Sequence, residues 1–134
     1  PPYAEMVANL RIMCGESVES CVDYLKKTVD DDGVKVEVVY GMDPSNISQT
    51  QGEAWEMMKR AVSQTWKEAL VAPYLMLACS DSRHYGEISD HVYRFSAMAL
   101  SKEERASIHG NDEKIPVEKI VQTVHFYLRL ISQF

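Results

Sequence analysis

The chain has 134 residues, 46 % of them hydrophobic and 25 % charged, with a net charge of -6. That length supports one modest core or two small ones in a globular protein. An acidic chain is not drawn to nucleic acid or to an anionic membrane surface, and no apolar stretch is long enough to span a bilayer, so neither is an expected partner.

The chain opens on Pro1-Pro2-Tyr3, with no initiator methionine and no charged-then-apolar leader, which reads like the middle of a longer protein. Residues 8–13 alternate apolar and polar side chains and predict a strand with one buried face; Gly15 breaks it. Val18, Cys21, Val22, Leu25 and Val29 then recur at helical spacing, opposite Glu19, Asp23, Lys26 and Lys27. Asp30-Asp31-Asp32-Gly33 stops that helix, and its carboxylates lack the spacing of a calcium loop, so a solvated turn is expected. Residues 34–40 alternate again. The unit is strand-helix-strand, an α+β module whose sheet needs more strands than these. The turn chemistry of residues 41–46 marks the crossing to a second part.

That second part opens with a helix whose face carries Ala54, Met58, Ala61, Val62 and Thr65, widened by Trp55 and Trp66. After Pro73, the apolar run 74–78 has the length of a strand buried on both faces, and 92–95 reads as another short strand. Ser101 with Glu104 has capping-box spacing, predicting a short helix towards His109 that Gly110 ends in a left-handed conformation. Pro116 suits the first turn of a last helix, with Val117, Ile120, Val121, Val124, Leu128 and Ile131 as its buried stripe. Strands alternating with helices point to α/β architecture.

Two loops could carry chemistry. Residues 80–86 follow the apolar run, and open α/β sheets place ligands beyond such strand ends. There Arg83 could clamp a carboxylate through two parallel hydrogen bonds, with Asp81 capping the turn or orienting Arg83 or His84. A polar turn with no ligand is an equal reading. The other loop holds His109, since imidazole binds zinc through either ring nitrogen, with Asp112 or Glu113 as acceptor for the other nitrogen. Spacing alone favours a surface histidine in a turn, because no second ligand lies nearby. His125 reads as packed or half-exposed, His91 as exposed, and His84 as either structural or substrate-facing. Cys14, Cys21 and Cys79 form no C-x-x-C pair, and an odd, sparse set points to reduced thiols in the cytoplasm.

Four stretches taken in order resemble the co-catalytic zinc peptidase family of carboxypeptidase S, aminoacylase and succinyl-diaminopimelate desuccinylase. Residues 9–19 (NLRIMCGESVE) resemble a lid-domain strand and the turn into its helix. Asp43-Pro44-Ser45 resembles the return to the catalytic domain. Residues 72–77 with Ser80-Asp81-Ser82-Arg83-His84-Tyr85 resemble the substrate loop. Tyr93-Arg94-Phe95 with His109-Gly110-Asn111-Asp112-Glu113 resembles the closing metal loop. Relatives often carry two glycines where this chain has Ala78-Cys79.

The resemblance implies a fold of two parts. Residues 1–43 would be the second half of a ferredoxin-like lid or dimerisation domain, and 44–134 the C-terminal portion of a zinc-peptidase-like α/β catalytic domain. It implies a zinc ligand at His109, with Glu113 behind it, and substrate binding by Arg83, Asp81 and Ser82. Arg11 carries over only as a structural or substrate-facing residue. The implied cofactor is a pair of zinc ions, or cobalt or manganese in their place. The implied reaction is hydrolysis of an amide bond next to a carboxylate, in a small peptide or an N-acyl amino acid, by an enzyme that could dimerise through its lid. No His-x-Asp pair and no Glu-Glu after an apolar strand precede the lid segment, and Glu103-Glu104 falls in a capping box. The expectation is therefore a C-terminal fragment that lacks most metal ligands and the general base and is inactive by itself. The competing expectation is a non-catalytic assembly or binding module that holds no metal.

Overall fold

Five helices form among the described residues. In the computed structural model, which describes residues 2–134, these are α1 (Val18–Val29), α2 (Glu53–Thr65), α3 (Ser82–Tyr85), α4 (Lys102–Ala106) and α5 (Val117–Ile131). Two compact units are built from interleaved stretches of chain. One contains the residues up to Ile47 together with Leu75–Asp90, and the other contains Ser48–Tyr74 and His91–Phe134.

In the first unit, α1 begins in a full capping box. The Ser17 hydroxyl accepts from the Ser20 amide at 3.0 Å, and the Ser17 amide donates to the Ser20 hydroxyl at 2.9 Å. A further donor of the first turn, the Val18 amide, goes to Asp43 Oδ1 at 2.8 Å. Glu19 near the start and Lys26 and Lys27 near the end complement the helix dipole. Asp30 stops the helix in the left-handed region at φ 46°, its amide bonded to the Lys26 carbonyl at 3.0 Å. Asp31 Oδ1 accepts from the Gly33 amide at 2.8 Å, so the acidic run is the turn expected of it. Val18, Cys21, Val22 and Leu25 are half-buried on the expected face. A Cβ on Gly41 would stand 3.0 Å from both Val18 methyls, a tight contact that glycine avoids where the 41–46 turn meets α1.

The second unit has the core. Met58, Ala61 and Val62 of α2 are buried against Phe126 of α5 and Ala97, with Trp66, Val71, Tyr93 and Leu130 packed around them. Met57 is buried beside this expected face as well. Polar side chains fasten the seam: Arg129 Nη1 donates to Thr65 Oγ1 at 2.9 Å, Trp66 Nε1 to Gln122 Oε1 at 3.3 Å, and Gln133 Nε2 to the Met57 carbonyl at 3.1 Å. Thr123 Oγ1 donates to the Ala97 carbonyl at 2.6 Å and pins that segment to α5.

Three expectations need correction. The α/β and α+β sheets do not form: among the described residues 8–13, 34–40, 74–78 and 92–95 contain no strand. Alternation shows which side chains would share a face, but a strand exists only through a backbone ladder to a neighbour, and these segments make none. One bond that reaches between the first and third of them is a side-chain one, from Arg11 Nη1 to the Leu77 carbonyl at 3.4 Å.

The buried stripe of α5 is on the other side of the helix. Phe126 is 1 % exposed, whereas Leu128 is 61 % and Ile131 66 % exposed, and Val117, Ile120, Val121 and Val124 are exposed with them. The helix is apolar around most of its girth, so periodicity alone does not select a face. The partner α2 selects the one carrying Thr123, Phe126 and Leu130. The last correction concerns the end of α4. His109, not Gly110, takes the left-handed conformation, and Pro116 is the cap before α5 rather than a residue of its first turn.

Candidate functional site

The loop 80–86 folds in the first unit as the single turn α3, with Ser80 Oγ and Ser82 Oγ 2.6 Å apart. Asp81 precedes the turn in a helical conformation, and its exposed side chain makes no capping bond, so of the roles read for it the capping one does not form. Arg83 is half-buried, and its Nη2 donates to the Asp43 carbonyl at 2.8 Å. One donor of the guanidinium is thus committed to backbone, and its remaining N–H groups keep the fork geometry that suits a carboxylate. His84 is exposed.

The same unit holds a hollow of about 540 Å³, lined by Cys14, Glu16, Ser17, Asp43, Asn46 and Asp90 among others. Its carboxylates, from Glu16, Asp43 and Asp90, would repel a substrate carboxylate, and Arg83 is not in its wall. The hollow is therefore no partner for the chemistry expected of Arg83.

The His109 loop lies in the second unit. The capping box at Ser101 forms as expected, with the Ser101 hydroxyl accepting from the Glu104 amide, and α4 carries the chain to the turn. His109 is exposed, at φ 63°. Histidine visits this region more readily than most residues, and strained positions of this kind concentrate at functional loops. Gly110 makes the turn tight: its amide donates to the Ser107 carbonyl at 2.8 Å, and a Cβ would come within 3.0 Å of that oxygen.

The acceptors proposed behind His109 are placed differently from one another. Asp112 Oδ2 pairs with Lys114 Nζ at 2.9 Å, an exposed ion pair, while Glu113 is exposed and unpaired. Among the described residues no group of three His, Cys, Asp or Glu side chains gathers as metal ligands. Zinc takes three or four protein ligands, so the residues present do not by themselves fit a zinc site.

His91 Nδ1 lies 3.0 Å from the Tyr93 hydroxyl, which donates to the Gln49 carbonyl at 2.8 Å. Burial pushes the Tyr93 phenol above its ordinary value. His125 is exposed on α5 rather than packed. The three cysteines are free thiols. Among the described residues no helix is long and apolar enough to cross a membrane. Sequence reasoning missed Asp43, which it placed in a connecting turn. Its one available signal was the Asp-Pro step, which marks turns without naming the partners of the carboxylate.

These loops and caps lie on a chain that aligns with other proteins along almost all of its length. It is 29 % identical over 133 residues to probable carboxypeptidase S-like 2 of Dictyostelium discoideum, with 98 % of this chain and 26 % of that protein covered. It is 31 % identical over 136 residues to probable carboxypeptidase S-like 1 of the same organism, with 100 % of this chain and 28 % of that protein covered. It is also 31 % identical over 134 residues to the N-fatty-acyl-amino acid synthase/hydrolase PM20D1.1 of Danio rerio, with 98 % of this chain and 26 % of that protein covered. The chain is thus a homologue of carboxypeptidase S-like proteins, and the family resemblance read from its residues stands. It spans about a quarter of the length of these relatives. No protein-family model and no solved structure matches it.

Proposed function

We propose that the protein to which this stretch belongs is a zinc-dependent hydrolase that cleaves an amide bond next to a carboxylate, in a small peptide or an N-acyl amino acid. The observation that supports this reading is similarity along almost the whole chain to carboxypeptidase S-like proteins and to an N-fatty-acyl-amino acid synthase/hydrolase. In this reading Arg83 grips the substrate carboxylate, with Asp81 and Ser82 shaping its loop. His109 supplies one ligand of a zinc pair, with Glu113 near enough in sequence to orient it. The donors on these residues do not complete that pair, so the other ligands and the general base are assigned to sequence outside this stretch, and these 134 residues alone are expected to be inactive. Residues 1–43 then belong to a lid that could pair two copies, 44–134 to the catalytic domain, and the enzyme to the cytoplasm.

The test is made on the natural protein. Zinc content by elemental analysis and hydrolysis of N-acyl amino acids and dipeptides are compared between wild type and His109→Ala. Loss of both supports the reading. Unchanged zinc and unchanged turnover in the variant remove His109 from the metal site, and a wild-type protein without zinc or turnover favours an assembly module.

A further inference from the structure

We propose that Asp43 is a positioning residue for Arg83, which rests on the reading of Arg83 as the group that binds the substrate carboxylate. Asp43 uses both of its oxygen-bearing groups. Its carbonyl accepts from Arg83 Nη2 at 2.8 Å, and its Oδ1 accepts from the Val18 amide at 2.8 Å in the first turn of α1. The aspartate is thereby a clasp between a 12-residue helix and the loop that carries the arginine.

Its carbonyl is aimed by independent constraints. Pro44 restricts the residue before it to extended conformations, which limits where the Asp43 carbonyl can point. Gly41 lets the turn close on the Val18 side chain, where a Cβ would stand at 3.0 Å. The carboxylate then fixes the turn to the first turn of α1, where an anion is also favoured by the helix dipole.

An arginine side chain free in solution samples many rotamers, and holding one of its nitrogens sets the plane of the rest. A guanidinium held by Asp43 presents its remaining N–H groups to a carboxylate without first losing that freedom. Removing the Asp43 side chain leaves the carbonyl in place chemically but unties it from α1. The effect falls on substrate binding and not on bond cleavage.

The experiment measures kcat and KM for N-acetyl-leucine in the natural protein, for wild type, Asp43→Ala, Asp43→Asn, Ser17→Ala and Arg83→Ala. Loss of one hydrogen bond corresponds to about fivefold in an equilibrium constant. Asp43→Ala is expected to raise KM by about that factor with kcat nearly unchanged. Asp43→Asn, which keeps an acceptor oxygen, is expected to restore the wild-type KM. Ser17→Ala weakens the same helix terminus without touching Asp43, and it controls for simple destabilisation: its KM stays at the wild-type value. A KM for Asp43→Ala equal to wild type, with Arg83→Ala still raised, overturns the positioning role and leaves the function intact. A KM for Arg83→Ala equal to wild type overturns the substrate role of Arg83 and this proposal with it.

Discussion

Phe126 and Trp66 pack ring against ring, with centroids 5.7 Å apart and planes inclined by 33°. Phe95 joins them, 5.1 Å from Phe126 and 6.3 Å from Trp66. Offset and tilted pairs at such separations add to the burial of the rings themselves. The cluster draws together α5, the residue that ends α2, and a segment that forms no regular element, so it is the point where the second unit is closed.

Phe126→Ala is therefore expected to cost about 3–5 kcal/mol, the range for truncating a buried aromatic side chain. Leu128→Ala, on the exposed side of the same helix, is expected to cost less than about 0.5 kcal/mol. Urea titration of both variants checks the assignment of the α5 faces. Equal losses would return the buried stripe to the Leu128 side.

Alkaline pH gives a second test, through Tyr93. Its phenol is pushed up by burial, so the folded value lies above the unfolded one. The stability linked to that proton is complete below the unfolded value of about 10 and is lost as pH rises through the folded value. Stability should fall in that alkaline window in wild type. Tyr93→Phe should flatten this component of the profile while losing the bond to the Gln49 carbonyl at every pH. A tyrosinate absorbance titration combined with thermal unfolding measures both.

The cap of α4 gives a third prediction. The backbone bond at Glu103 and then the Ser101 hydroxyl hold the Glu103 carboxyl below its usual range. With the folded value depressed, the linked stability is present above the ordinary carboxylate value and is lost as pH falls through the folded one. Ser101→Ala should raise the Glu103 value in a carbon-detected NMR titration. It should also cost about 1 kcal/mol, as for other serine caps.

Backbone strain at His109 gives a fourth. At φ 63° a glycine is free of the Cβ penalty and a β-branched residue suffers most from it. His109→Gly should be at least as stable as wild type, and His109→Val less stable by about 1 kcal/mol. If both variants unfold at the wild-type denaturant concentration, the turn does not hold this conformation in solution.

The helices could be read in the sequence because their signals are local. Ser101 with Glu104 and the 58-61-62 face of α2 act within a turn or two, and each is found where it was read, whereas the Ser17 box before α1 carries an equally local signal that was not read. The strands could not be read, because pairing depends on a distant partner and not on the alternation of 34–40 itself. The α5 face failed for a related reason: two apolar stripes share one helix, and only the position of α2 distinguishes them. Arg83 was read from its loop, but its partner in the structure is the Asp43 carbonyl, and a backbone acceptor leaves no mark in the identity of a side chain.

The interleaving of the two units bears on how this chain can fold. It leaves the first unit after Ile47, returns at Leu75 and leaves again after Asp90. Neither unit is complete until later residues exist: the first waits for 75–90, and the second for α5 at the far end. Contacts of such long sequence separation carry a loop-closure cost before they yield any stability, which slows folding. During synthesis α1 and α2 would emerge with apolar faces and no partner, a condition that favours chaperone binding or aggregation. A single proteolytic cut could not release either unit as an independent piece.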